Sequence, residues 1–289
     1  KIIVTRPESG QKLLQFLSRK LQGQIPRSAL MRWIRTGQVR LDGSRSKPFA
    51  RVDEGQLIRI PPYRPEEGDF TAASHEGNPF VLSTVYEDAN LLVLAKPPNL
   101  ATQPGSRQTD SVHDRLLKRY SASPWMPSLV HRLDKETSGL LLVAKSYQYL
   151  RHLQGLWQAG KIRKEYLAWV QGQGPGKDWV RFEDRFPVGS TGQRSKKTME
   201  ATSMTKSLEE KKGLSLVMVR LLTGRKHQIR IQMANRGMAV VGDSKYGRAG
   251  SGQGLLLHAF RLSFDDFVFV LPPPWEGFFQ VPRELLDRI

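Results

Sequence analysis

Residues 131–145 read HRLDKETSGLLLVAK. His131, Arg132, Asp134, Lys135 and Glu136 crowd five charged or titratable side chains into six positions. A Thr-Ser-Gly turn follows, and Leu140 to Ala144 then run without a polar side-chain atom. A short apolar run bounded by turn residues reads as a buried strand. An aspartate at the mouth of that strand sits where a site can be dry, and a buried carboxylate is costly unless it is paired or hydrogen-bonded. An arginine partner would keep it charged and aimed. A carboxylate with no metal, thiol or serine partner suits chemistry at an electrophilic sugar carbon. The competing reading is a turn cap, with Asp134 accepting from the amides of Glu136 or Thr137. The stretch alone leaves both open.

Outward from this strand the chain is strand-rich from Phe80 on: VLSTVYED, LLVLAKPP, LVHRLD, LLLVAK, KEYLAWV, LSLVMVRLL and LLLHAFRLSF. Helical patterns fall at 110–120, 146–160 and 226–236, and the mixture predicts an α+β domain. Residues 189–212 are polar and lysine-rich and read as a connection around a short strand, a candidate RNA contact. Residues 63–79 are acidic and rich in Gly, Pro and small residues, and read as a linker.

Residues 1–62 hold thirteen Lys and Arg against four acids (Glu8, Asp42, Asp53, Glu54), half of the chain's net +18. Leu13, Leu14, Phe16, Leu17 and Leu21 keep a helical spacing. Pro26 opens a second helix, with Ala29, Leu30, Trp33 and Ile34 on one face and Ser28, Arg32 and Arg35 on the other, and Gly37 stops it. VRLDG and QLIRIPP read as short strands. A basic helix face beside a small sheet, here with Arg27, Arg32 and Arg35, fits a phosphate backbone.

The whole chain, 289 residues with 45 Lys+Arg against 27 Asp+Glu, points to a polyanion partner, nucleic acid ahead of a membrane surface. Without cysteine there is no disulfide, thiol nucleophile or Cys-ligated zinc, which fits a reducing compartment. The six histidines show no tight metal spacing. No run approaches a membrane span, and the opening KIIVTRPESG lacks the apolar run of a signal peptide. A relay of Ser128, His131 and Asp134 stays open on spacing alone.

HRLDKETSGLLLVAK resembles the signature of RNA pseudouridine synthases of the RluA type. VYEDANLLVLAKPPNL (85–100) resembles the strand and KP turn upstream of it, and KIRKEYLAWV (161–170) the family's lysine-tyrosine strand. LLTGRKHQIRIQMANRGMAVVGDSKYG (221–247) resembles its TGRxHQIR motif and GDxxYG loop, and LLLHAFRLSF (255–264) its last core strand. Residues 1–62 resemble the S4 RNA-binding module, and the layout is most similar to the RluC-like branch acting on large-subunit ribosomal RNA.

The resemblance implies a mixed, mainly antiparallel central sheet with flanking helices over 80–289, preceded by a small α+β S4 domain. It implies isomerisation of uridine to pseudouridine in RNA, with no cofactor and no metal, by a cytoplasmic monomer. Asp134 falls on the family's catalytic aspartate, Tyr166 on its tyrosine and Arg230 on the arginine that pairs with the aspartate. Arg132 falls on the arginine that holds the RNA and the flipped uridine, while Arg225 and His227 match motif positions near the site. Two rivals remain: a non-catalytic RNA-binding protein, and a nucleoside hydrolase using Asp134 with Glu136 as its second carboxylate.

Overall fold

The computed structural model describes residues 1–21, 25, 27–62, 82–104, 110–120, 123, 126–187, 198–247 and 253–289. The linker expected at 63–79 lies outside the described residues.

Residues 1–62 build a small unit. Strands β1 (Ile2–Ile3), β2 (Arg40–Leu41) and β3 (Leu57–Arg59) form an antiparallel sheet in the order β1-β3-β2. Helices α1 (Leu13–Lys20) and α2 (Arg27–Thr36) share a core with it around Leu13, Phe16, Leu30, Ile34 and Ile58. The helical spacing read in the sequence is the packing stripe of both helices. Gly37 ends α2 at φ +75°, a conformation that costs glycine nothing.

The rest of the chain is organised on a ten-stranded sheet. In chain order come β4 (Ser83–Glu87), β5 (Leu91–Lys96), α3 (Val112–Arg119), β6 (Ser128–Leu129), β7 (Ser138–Ala144), α4 (Tyr147–Gln158), β8 (Arg163–Gln171) and β9 (Val180–Pro187). Then follow β10 (Thr198–Lys211), β11 (Leu214–Leu221), α5 (Gln228–Ala234), β12 (Leu257–Phe264), β13 (Phe267–Val270) and α6 (Arg283–Asp287). The strand order is β4-β5-β7-β12-β8-β11-β10-β9, with β13 on β12 and β6 on β7. Every pairing is antiparallel except β12 with β7.

Two readings need correction. The stretch around 198–211 is not a loose connection but a 14-residue strand. Its inward positions are small and polar (Ala201, Thr202, Ser203, Thr205), so no apolar alternation marks it in the sequence. The LVHRLD segment (129–134) is strand only at Leu129, the end of β6, and residues 131–134 are irregular. His131 turns inward there and accepts the Leu142 amide at Nε2, 3.0 Å, while its ring stacks on Trp157 at 4.6 Å. That bond removes His131 as the base of a serine relay.

The β7–β12 seam aligns the two halves of the site. Gly139 pairs with Ala259, and Ala259 pairs with Tyr166, so one cross-strand row ties the strand after Asp134 to the strand of Tyr166. Only glycine fits this seam: φ is +116°, and a Cβ would lie 2.4 Å from the Ala259 carbonyl oxygen. Gly139→Ala must part the strands or shift backbone, which costs about 3 kcal/mol or more. The expected result is a clear drop in the urea midpoint together with loss of activity. An unchanged midpoint would show that the seam is slack.

His258, one residue along, is a neutral brace. Its Nε2–H donates to the Leu271 carbonyl at 2.9 Å, and the Ser138 hydroxyl donates to Nδ1 at 2.8 Å. Burial pulls its pKa from 6.5 to about 4, partly opposed by the Leu271 bond. The depressed base leaves stability intact above pH 6.5. Below that the unfolded chain takes a proton that the folded chain refuses. Stability should therefore fall by about 1.4 kcal/mol per pH unit from this residue as pH drops toward 4. Urea unfolding at a series of pH values reads the slope, and a flat profile across that window would refute it.

Candidate active site

Six residues marked in the sequence, Arg132, Asp134, Tyr166, Arg225, His227 and Arg230, line one cavity of about 320 Å³. Arg32 and Arg35 instead lie exposed on α2 of the N-terminal unit. Arg27 opens that helix, and its side chain lies outside the described residues.

The backbone around Asp134 is bracketed by buried polar side chains. Thr102 bonds both the amide of Leu133 (3.1 Å) and its carbonyl (2.7 Å). Lys96 ends β5 at 2 % exposure and donates to the carbonyls of Pro97, Leu100 and Lys135 at 2.8, 2.7 and 3.0 Å. Burial pulls its pKa to about 7, against the pull of Asp134 and Glu136. Three carbonyls match the three donors of an ammonium, so the bonded geometry favours the charged form. The KP turn therefore bolts the loop from both sides of Asp134.

The turn is closed by backbone, with the Thr137 amide donating to the Asp134 carbonyl at 3.2 Å. The side chain is not the cap. Among the described residues no group hydrogen-bonds the Asp134 carboxylate, which is 21 % exposed and faces the cavity. The nearest ring nitrogen is that of His227, Nε2 to Oδ1 at 3.7 Å, beyond hydrogen-bond distance.

His227 sits at φ +54°, a left-handed conformation rare outside glycine and one associated with functional sites. Its Nδ1 is 2.9 Å from the Tyr246 hydroxyl. When Tyr246 donates into Nδ1, the ring proton lies on Nε2 and faces Asp134. Burial lowers the His227 pKa, Asp134 raises it, and Arg230, Lys245 and Lys226 lower it further. The net is a neutral imidazole near neutral pH.

Arg230 departs from the expected pairing. Its guanidinium is clamped two-pronged on Asp243, Nε to Oδ2 and Nη2 to Oδ1, both 2.7 Å, and Nη1 donates to Glu136 at 3.1 Å. Asp134 acts on it only through its charge. The reason lies in burial: Arg230 is 2 % exposed, and a fixed bidentate acid satisfies it better than a cavity-facing one. Asp243 also accepts the amides of Lys245 and Tyr246 at 2.9 and 3.0 Å. Burial would raise its pKa, but Arg230 and these amides outweigh it and hold the acid below its ordinary value.

Tyr166 is 8 % exposed on β8, and burial first, then Asp134, pushes its phenol well above the ordinary tyrosine range. It stays a neutral ring with an apolar face. Arg225 keeps its Nε on the Glu200 carbonyl at 2.8 Å, which aims it along the cavity edge. Asp243, Tyr246, Lys96 and Thr102 carry the site without having been singled out in the sequence. The GDSKYG and KPPNLAT segments hold them, but nothing in single-residue chemistry separates them from ordinary turn residues.

This basic cavity, with its carboxylate and aromatic face, sits on a sheet whose likenesses are pseudouridine synthases. The fold matches human RNA Pseudouridylate Synthase Domain Containing 1, with TM-score 0.59 and 23% identity over 73% of this chain and 96% of that one. Residues 90–235 match the family described as RNA pseudouridylate synthase. Ribosomal large subunit pseudouridine synthase C of Escherichia coli (strain K12) is 34% identical over 91% of this chain and 88% of its own length. The Haemophilus influenzae protein of the same name is 31% identical over 91% of the chain and 86% of its own. The chain belongs to the RNA pseudouridylate synthase family.

Proposed function

We propose that the protein converts uridine to pseudouridine in large-subunit ribosomal RNA, acting as a cytoplasmic monomer without cofactor or metal. The observation that carries this is the unbonded Asp134 carboxylate in the same cavity as the buried ring of Tyr166. The curated relatives support the ribosomal target.

A stacked base cannot reach the cavity, so the target uridine flips out, at a cost of a few kcal/mol. Arg132, exposed at the cavity rim, and Arg225 help offset that cost by holding phosphates. Tyr166 stacks on the uracil. Asp134 acts at the ribose, attacking C1′ or taking the C2′ proton. The N1–C1′ bond breaks, the uracil turns, C5 bonds to C1′, and the C5 proton leaves as N1 gains one. A phenol held protonated stacks well but does not accept that proton. Asp134, freed by C5–C1′ bonding on the first route or by returning its proton to C2′ on the second, is the available base. Arg230 stabilises its charge from a distance, and the neutral ring of His227 flanks it within the cavity.

Residues 1–62 act as an S4-like RNA-binding domain ahead of the catalytic domain, with Arg27, Arg32 and Arg35 on phosphates. Arg32→Ala and Arg35→Ala should each lower the salt slope of RNA binding by about 1. An unchanged slope would remove α2 from the interface.

The deciding experiment incubates the protein with large-subunit ribosomal RNA and assays pseudouridine and free uracil. Pseudouridine without uracil is expected. Free uracil would favour the hydrolase, although the second carboxylate that reading needs, Glu136, is engaged by Arg230. Neither product would favour a binding protein.

A further inference from the structure

Glu165 lies beside Tyr166 on β8 and so points away from the cavity. It is completely buried. Three arginines converge on its carboxylate. Arg163 gives Nε and Nη2 to Oε1 at 2.9 and 2.7 Å, Arg220 gives Nε to Oε1 at 3.0 Å, and Arg261 gives Nη1 to Oε2 at 3.2 Å. Their side chains remain 48 %, 28 % and 21 % exposed.

One arginine neutralises a buried carboxylate. Three overcompensate it, and like charges held this close repel. A cluster serving stability alone has no use for the surplus. Each guanidinium spends only one or two of its donors on Glu165, and the others bond nothing among the described residues. Trp179 adds rigidity, with Arg220 4.5 Å and Lys206 5.1 Å from its ring centre.

The register extends the feature into a row. Arg261 pairs with Glu165, Glu165 with Arg220, Arg220 with Met204, and Met204 with Arg181. Arginines thus recur on every second strand, about 10 Å apart at the usual strand spacing. The cations Arg163, Arg181, Lys206, Arg220 and Arg261 face the acids Glu165 and Glu183 along it.

We propose that this row is a further RNA-binding site, taking the phosphodiester backbone of the substrate on the face of the sheet opposite the catalytic cavity. Preset planar forks suit phosphate oxygens, and such contacts fix position without reading sequence. The proposal rests on the RNA substrate proposed above.

The test uses two substrates: full-length large-subunit ribosomal RNA, and a stem-loop too short to reach around the sheet. Arg163→Gln combined with Arg220→Gln leaves Arg261 on Glu165. Affinity for the long RNA should fall about 10-fold, with a log–log salt slope smaller by about 1–2. Turnover of the stem-loop should not change. Arg181→Gln, on an exposed side chain that cannot disturb folding, should move the long-RNA slope in the same direction by less. Unchanged slopes in both variants would overturn the site. So would an equal loss on the stem-loop, or a row that binds polyglutamate while long-RNA affinity is untouched. A wild-type protein that makes no pseudouridine in the full-length RNA would instead refute the catalytic reading, which the binding slopes do not depend on.

Discussion

Asp134→Asn abolishes isomerisation, with the single-turnover rate down by about 10³-fold or more, while RNA affinity stays within about 2–3-fold. The substitution keeps the shape of the side chain and removes the charge that attacks or deprotonates the ribose. Folding should survive, because no described residue hydrogen-bonds that carboxylate and its neighbours Leu133 and Lys135 are fixed through backbone. The expected split is therefore kcat without Kd and without a shift in Tm. A variant retaining full turnover would move the chemistry to another group in the cavity. A variant that lost RNA binding equally would make Asp134 a binding residue.

The sequence was most legible where one residue type can do one job. Apolar runs gave β5, β7, β8, β11 and β12 because burial on both faces leaves the middle of each strand mostly apolar, with polar residues such as Glu165 and His258 set toward strand ends. The two N-terminal helices were legible through their apolar stripe and Gly37. β10 was hidden because its inward residues are Ala, Thr and Ser, and the partner of Ser203 is Gln232 at 2.9 Å, far away in sequence. Asp134 was ambiguous for the same kind of reason. Whether an aspartate caps a turn or faces a cavity depends on which group closes the turn, and here the backbone carbonyl does. Arg230 lines the cavity, but the expected pairing with Asp134 gives way to Asp243, a partner not readable from the sequence. Asp134 and Asp243 are both single acids beside turns, and only the packing of α5 chooses between them. The resemblance to a known family supplied which residues to watch, and the structure supplied which atoms face each other.

The clamp on Arg230 has the second large expected effect. Asp243→Asn leaves a guanidinium at 2 % exposure with Glu136 alone, a partner 40 % exposed and 3.1 Å away. Breaking a buried pair from one side costs about 3–5 kcal/mol, and the urea midpoint should fall accordingly. Activity should fall too, by about 10-fold or more, because the orphaned guanidinium is drawn toward the next carboxylate, Asp134, whose charge it already feels. Stability and chemistry separate in a double variant. Arg230→Met with Asp243→Asn removes both charges of the pair while the side-chain oxygen at 243 still accepts the amides of Lys245 and Tyr246, so no charge is left buried and unpaired. It should restore much of the midpoint and none of the rate, since no cation then stands behind the site. Recovery of both would make Arg230 a structural brace only. Loss of neither in the single variant would mean that Asp243 does not hold Arg230.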